Sequence, residues 1–361
     1  MTHARKSRLP WWSLAIPIVA CALLGFALGG MSGTLWTLVF GAALIASVLT
    51  AVYHAEVVAH RTGEPFGTLI LAIAVTVIEV ALIVSLMLAD GGGGEFIARD
   101  TVFAAIMIIC NGVVGLCVLV GGIRHGEPEF RVEGTNQALT VLASLATLAL
   151  VLPIFTTSSP GSTYTPAQLK FAGLCSLVLY GTFVFIQTVR HRDYFLSGGG
   201  DVDDHAAPPG NLAAFASGVL LLLSLVAVVG LAKILSPSIE SALEGLGAPK
   251  SAVGVAIAML VLMPEGFAAV RAAAANRLQT SFNLALGSAL ASIGLTIPVV
   301  AMVSIGFALP LTLGIGPVEL VLLTLTLGVS ILTLALGRTT LLQGVVHLVI
   351  FAAYIFLTLV P

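Results

Sequence analysis

Two glutamates in the middle of long apolar runs are the residues of this sequence best suited to chemistry. Glu79 lies within residues 69–89, and Glu265 lies within residues 251–270. A carboxylate at bilayer depth costs at least roughly 2.5 kcal/mol, and such residues usually face a protein interior or a water-filled cavity where ions or protons move. Because a carboxylate holds either a proton or a hard cation, we expect both acids to be cation ligands in one shared exchange site.

Hydroxyl and amide side chains near these acids can complete a set of oxygen ligands. Thr76 lies three residues before Glu79 and therefore shares its helix face. In a later apolar run Ser288, Ser292 and Thr296 recur every four residues and form one hydroxyl-bearing stripe. The ion- and proton-binding residues expected from these residue types are Glu79, Glu265, Asn111, Ser288, Ser292 and Thr76. For Asn111 an interhelical hydrogen bond is the open alternative, and for the stripe it is helix packing.

Three further polar or helix-breaking positions have their own interpretations. Pro264 removes a helix hydrogen bond just before Glu265 and can free the carbonyl of Leu260 as another oxygen ligand. His347 is interpreted as a core histidine, with a proton relay as the alternative. Glu319 starts an apolar run and favours the positive end of a helix, which is a structural role.

The composition places these residues in a membrane. Hydrophobic residues make up 58% of the chain, charged residues make up 9%, and the mean hydropathy is +1.10. No soluble domain of ordinary size has this composition, so the chain is expected to be a polytopic membrane protein surrounded by the lipid bilayer. Its 15 Lys and Arg residues form no nucleic-acid patch. The four cysteines show no Cys-x-x-Cys spacing and are interpreted as packing residues, so no cofactor is expected.

Apolar runs of about 20 residues, the length needed to cross a bilayer, predict an all-α fold with about eleven transmembrane helices. The predicted spans are 11–30, 34–53, 67–89, 101–122, 137–155, 167–189, 211–235, 250–270, 281–308, 317–336 and 340–360. With the N-terminus inside, the inner segments hold 11 Lys and Arg residues and the outer ones hold 4. Because basic residues concentrate on the cytoplasmic side, the pattern predicts an inner-membrane protein with its N-terminus cytoplasmic and its C-terminus outside.

A polar, Gly/Pro-rich segment, residues 191–210, divides the chain. We predict an N-terminal segment with the first helix (1–32), a five-helix repeat (33–190), this acidic cytoplasmic linker and a second five-helix repeat (211–361). An odd number of helices makes the two repeats inverted, and the second helix of each carries a deep glutamate. The linker acids are interpreted as solvated side chains, with cation gathering as the alternative: Asp201, Asp203 and Asp204.

Three segments, residues 54–88, 99–122 and 260–298, resemble the calcium/proton antiporter branch of the cation/calcium exchanger superfamily, and most of all its bacterial ChaA type. The resemblance implies that the glutamate of each half binds the cation or the proton. It also implies that the following helix supplies further ligands, here Asn111 and the Gly287–Ser288 stretch. The wider family carries Gly-Asn-x-x-Glu in each half, whereas this chain has Val-Thr-Val-Ile-Glu and Val-Leu-Met-Pro-Glu, without the amide.

These observations together predict a secondary active antiporter and no enzyme. It would exchange cytoplasmic cations for external protons by alternating access at two midplane glutamates. Calcium is the expected ion, and the ChaA-type resemblance adds sodium and potassium. A cation channel is one alternative, which a repeated filter loop would favour. An intramembrane enzyme is the other, and it would need a metal motif or a nucleophile with its base.

Overall fold

The structure, a computed structural model, describes residues 9–62, 66–88, 94–195, 209–245, 249 and 251–360. Within these ranges ten helices are long and apolar enough to cross a membrane, and Ile73–Met87 is a shorter apolar helix. The prediction of an all-α polytopic membrane protein with about eleven helices is therefore confirmed. The linker acids Asp201, Asp203 and Asp204 lie outside the described residues.

The helices follow the predicted spans closely and are numbered here in chain order. They are α1 Trp11–Leu28, α2 Thr34–Thr62, α3 Phe66–Met87, α4 Gly94–His125, α5 Val132–Phe155, α6 Pro166–Arg190, α7 Asn211–Gly245, α8 Ser251–Ala274, α9 Leu278–Phe307, α10 Pro317–Leu334 and α11 Leu341–Leu359.

Several helix ends are set by local chemistry at the edges of the apolar runs. Thr165 caps α6 by accepting a hydrogen bond from the backbone N–H of Gln168, whose side chain in turn accepts from the backbone of Thr165. Thr340 and Gln343 form the same capping box at the start of α11. Such caps satisfy backbone groups that have no partner inside the helix. The apolar helices can therefore begin sharply at these positions.

The chain forms two compact units. The first contains α1, α2, α3 and most of α7, and the second contains the remaining helices. Glu79 belongs to the first unit and Glu265 to the second. The division into two inverted five-helix repeats stays a prediction.

In the first unit, α1 packs on α2 and comes close to α7. The ring Nε2 of His54 lies 2.8 Å from the carbonyl oxygen of Ser13, and Trp12 packs against Tyr53 with ring centroids 4.9 Å apart. A Cβ at Gly230 would lie 2.5 Å from Leu24 Cδ2. The absence of a side chain at Gly230 thus allows the close approach of α1 and α7, as small residues do in membrane interfaces.

In the second unit, α4 and α8 run side by side in the same direction. At one level, a Cβ on Gly254 of α8 would lie 2.9 Å from Asp100 Cβ of α4. At a second level, a Cβ on Gly266 of α8 would lie 3.4 Å from Val113 Cγ2 of α4. Twelve residues separate the two levels on α8 and thirteen on α4. The π-helical segment Ile108–Val113 of α4 takes up the extra residue, because a π-turn inserts a residue into an α-helix.

The connection between α9 and α10, residues 309–316, is not helical, yet most of it is buried. Its backbone N–H groups reach carbonyl oxygens of three separate segments. Thr312 donates to Glu95 at 3.0 Å, Gly314 to Ser162 at 3.1 Å and Ile315 to Leu150 at 3.1 Å. Buried irregular backbone needs such partners inside the protein, because it has no access to water.

Candidate functional site

Glu265 lies in the middle of α8, directly after Pro264. Its Oε2 atom is buried. Gly254, Ala258, Val261 and Glu265 follow one another at spacings of four, three and four residues, so they occupy one face of α8. At Gly254 this face lies against α4. Pro264 lacks a backbone N–H, and its place in the helix interior is consistent with the predicted release of a carbonyl oxygen one turn earlier.

Asn111 lies in the π-helical segment of α4, next to α8, and is fully buried. Its Nδ2 donates a 2.8 Å hydrogen bond to Thr326 Oγ1 of α10, and its Oδ1 lies 3.2 Å from Nδ1 of His347 in α11. The other ring nitrogen of His347 lies 3.0 Å from Thr333 Oγ1, also in α10. Three helices thus meet in one buried polar network around this amide.

Met107 fixes the direction of these hydrogen bonds. Thr326 donates its hydroxyl proton to the Sδ atom of Met107 at 3.4 Å, and a thioether accepts only. Thr326 Oγ1 is therefore the acceptor for Asn111 Nδ2, which leaves Oδ1 of Asn111 facing His347. The proton between them must come from Nδ1 of the imidazole, and Nε2 is then the acceptor for Thr333. The network assigns His347 the neutral Nδ1–H tautomer.

Glycines let α11 come close enough to α4 for this contact. A Cβ at Gly115 would lie only 2.8 Å from His347 Cβ, and one at Gly344 would lie 2.6 Å from the backbone nitrogen of Leu119. Real Cβ atoms are essentially never found at such distances. Glycine at these two positions therefore sets the spacing between the helices and the height of the imidazole beside Asn111.

The predicted hydroxyl stripe lies on α9, in the same unit as Glu265 and Asn111. Ser292 and Thr296 are buried, Ser288 is half-buried, and Gly287 has open space where a side chain would be. Thr296 Oγ1 has no hydrogen-bond partner among the described residues. A buried hydroxyl without a partner is costly and needs an explanation, and a transported cation or water is one that fits the prediction.

Glu79 and Thr76 lie on α3 in the first unit, and both are buried, with 3% and 4% of their surface exposed. Their three-residue spacing places them on one helix face, as predicted. The second unit brings together α4, α8 and α9 and with them the other predicted residues: Glu265, Asn111, Gly287, Ser288 and Ser292. That all seven serve one ion stays a prediction.

Sequence reasoning missed Thr326 and Met107, which contact Asn111, and Thr333, which contacts His347, and it left the role of His347 open. A weak signal was present, because Thr326 and Thr333 are seven residues apart and so lie on one face of an otherwise apolar helix. Within the described part of the chain, no three His, Cys, Asp or Glu side chains converge on a possible metal position. Glu319 folds back over Gly316 at the first turn of α10, the helix end expected for it.

Comparisons with known proteins give consistent matches. A family model described as sodium/calcium exchanger protein matches residues 32–189 and 216–360. The chain is 48% identical to y4hA of Sinorhizobium fredii, described as a candidate ionic transporter, over 99% of both chains. It is 34% identical to the sodium-potassium/proton antiporter ChaA of Escherichia coli, over 98% of this chain and 97% of ChaA. The solved structure of YfkE, a Ca²⁺/H⁺ antiporter, matches 97% of this chain and 100% of its own with a TM-score of 0.74 at 17% identity, which shows the shared fold.

Proposed function

Since this chain belongs to the sodium/calcium exchanger protein family, we propose that it is a secondary active antiporter that exchanges cytoplasmic calcium, sodium and potassium ions for external protons. The family consists of transporters, so the alternative of an intramembrane enzyme is wrong. Among the observations on this chain, the one that carries the proposal is the position of Glu265. It lies at mid-helix in α8, which packs beside the π-helical segment that holds Asn111.

The proposed chemistry is competition between a proton and a cation for the same carboxylates. Burial disfavours the charged form of a carboxylate, and binding either a proton or a cation offsets that charge. Glu79 and Glu265 alternate between the two, while Asn111 and the hydroxyls of α9 supply neutral oxygen ligands. Thr76 adds a hydroxyl on the helix face of Glu79.

Alternating access follows from the same energetics. An empty, doubly charged pair of acids cannot pass through a low-dielectric intermediate without a cost of several kcal/mol or more per charge. The transporter therefore changes its facing direction only when protons or cations neutralise the acids. This restriction couples the two ion fluxes without any cofactor.

The choice of cations follows from the relatives and from the ligands present. ChaA is named for sodium, potassium and proton exchange, and YfkE for calcium and proton exchange. Thr76 and Leu262 stand where the wider family pattern has asparagine. Fewer oxygen ligands weaken the preference for a divalent ion, which needs six to eight of them. We therefore include sodium and potassium among the substrates.

The experiment is exchange by the purified full-length protein in proteoliposomes with an acidic interior and a pH-sensitive dye. Adding calcium, sodium or potassium in turn is expected to collapse the pH gradient while the membrane potential is clamped at zero. A cation channel would leave the gradient intact under this clamp, because it moves no protons. No collapse with any of the three cations contradicts the proposal.

The proposed orientation has the N-terminus in the cytoplasm and the C-terminus outside. Two contacts between loops support the predicted alternation of loops between the cytoplasmic and outer sides. Glu127 and Arg338, both in predicted cytoplasmic loops, form an exposed 3.3 Å ion pair. Gly314 donates to Ser162, and both lie in predicted outer loops. In a cysteine-free background, Glu127→Cys should be labelled by an impermeant thiol reagent only from the cytoplasmic side. Ser159→Cys should be labelled only from outside, and equal labelling from both sides contradicts this topology.

A further inference from the structure

The network around Asn111 has a second self-consistent hydrogen-bonding arrangement. If the carboxamide turned over by 180°, its Oδ1 would accept from Thr326, and its NH₂ group would donate to Nδ1 of His347. The imidazole would then carry its proton on Nε2 and donate it to Thr333. Amide orientation and histidine tautomer are thus tied together, since neutral imidazole has one donor and one acceptor nitrogen.

The two arrangements differ in what the amide offers to a cation. With Nδ1–H on His347, the oxygen of Asn111 uses one of its two acceptor positions and keeps the other for a ligand. In the turned arrangement the NH₂ group takes the place of the oxygen, and its hydrogens repel a cation. The hydrogen bond from Thr326 to Met107 exists only in the first arrangement. In the second arrangement Thr326 donates its hydroxyl proton to Asn111 instead.

We propose that His347 is a positioning residue for ion binding: held in the Nδ1–H tautomer by Thr333, it keeps the oxygen of Asn111 in the orientation that can bind the transported cation. This inference rests on the proposed function, since it takes Asn111 as a ligand. It goes beyond that function by giving the last transmembrane helix a task in cation affinity. His347 itself needs no contact with the ion.

A matched pair of substitutions separates positioning from titration. In His347→Asn the side-chain amide reaches the position of Nδ1, so it can still donate to Asn111. In His347→Gln the amide reaches the position of Nε2, so it can contact Thr333 but leaves Asn111 without its donor. Neither replacement titrates. We expect His347→Gln to raise the apparent KM for the cation roughly tenfold, the lower end of the range for residues that orient a metal ligand, while His347→Asn stays within about threefold of wild type.

A second pair tests the tautomer through Thr333. Thr333→Val removes the donor to Nε2 and should raise the KM in the same direction as His347→Gln, whereas Thr333→Ser keeps the hydroxyl and should restore the wild-type value. Thr324→Val is the control on the same helix, because that exposed hydroxyl donates to the backbone of Leu320 and not to the network. The rate at saturating cation should be retained in all of these variants.

The tautomer has a readout that does not depend on transport. The ¹⁵N chemical shifts of a neutral imidazole distinguish Nδ1–H from Nε2–H, and the signal of His347 is found as the difference between wild type and His347→Asn. We expect the His347 signal to show Nδ1–H in wild type, and we expect this Nδ1–H signal to be lost in Thr333→Val. The chain's other six histidines cancel in this difference.

Three results would overturn the inference. Equal KM values for His347→Asn and His347→Gln would indicate that His347 acts by titration or has no role. A wild-type KM for His347→Gln with only a lower melting temperature would indicate a packing role. An Nε2–H signal in wild type would contradict the assigned tautomer. Failure of the proposed function looks different, since wild type itself would then exchange no cation for protons.

Discussion

Gly115→Ala is the substitution whose effect follows most directly from the distances. The new methyl carbon would lie 2.8 Å from His347 Cβ and 3.2 Å from both Leu348 Cγ and the Leu348 backbone nitrogen. Carbon atoms pack at about 3.5 Å or more, so α11 must move away from α4 by about 0.7 Å. That movement lengthens the 3.2 Å contact between Asn111 and His347 to about 3.9 Å, which is beyond a hydrogen bond.

The expected free energies set the size of the effect. Overpacking costs about 1–3 kcal/mol, and alanine regains up to about 1 kcal/mol of helix propensity over glycine. We therefore expect Gly115→Ala to be destabilised by about 1 kcal/mol and to show a raised KM, like His347→Gln. Gly181→Ala in α6 is the control, because nothing lies within 4 Å of the methyl position there, and it should be neutral or slightly stabilising.

Thermal unfolding in detergent and proteoliposome exchange measure the two effects on the same preparations. A Gly115→Ala protein that melts at the temperature of Gly181→Ala and has the wild-type KM would refute the reasoning. It would mean that the approach of α11 to α4 does not control the amide.

Two variants, Glu79→Gln and Glu265→Gln, should each fold and insert but show no more proton-coupled exchange than empty vesicles. The reason is that a glutamine cannot alternate between proton and cation. Exchange at the wild-type rate in either variant would contradict the mechanism. Glu319→Gln should transport normally, because this acid lies at a helix end, and loss of exchange with normal expression would show that the site is misplaced. Burial raises the pKa of Tyr164 to about 12, and its hydroxyl donates a 2.6 Å hydrogen bond to the carbonyl of Leu148. Since the folded-state pKa lies above the ordinary value of 10.0, the stability from this group should be fully present below that pH and lost as the pH rises through about 12. Tyr164→Phe should cost about 1 kcal/mol at neutral pH and remove this pH dependence, both measured by thermal unfolding.

The sequence was sufficient for the number and placement of the helices, because apolar length is what a bilayer demands of a spanning helix. The errors in the predicted helix ends also come from using apolar length as the measure. The second span was predicted to end at residue 53, but α2 continues to Thr62. Residues 54–62 are polar enough to end an apolar run, yet nothing in them stops a helix. Hydropathy therefore marks the membrane-embedded part of a helix and not its end.

The candidate site was predictable only in part. The two glutamates stand out because an acid in an apolar run is costly, and Asn111 stands out for a weaker form of the same reason. The network that orients Asn111 depends on α10 and α11, whose contributing residues lie more than 200 residues after Asn111 in the chain, and on a π-turn within α4. Both features arise from tertiary packing, and no local pattern in the sequence encodes them. The partners Thr326, Thr333 and Met107 could therefore not be assigned before the fold was known.

The buried connection between α9 and α10 has a consequence for how the chain is made. Its three acceptors outside α9, namely Glu95, Leu150 and Ser162, are synthesised about 150 residues or more before Thr312, Gly314 and Ile315. Since domains assemble largely in the order of synthesis, the partners can be in place when the connection leaves the ribosome. The N–H groups of the connection therefore need not wait unpaired for segments that are still to be made.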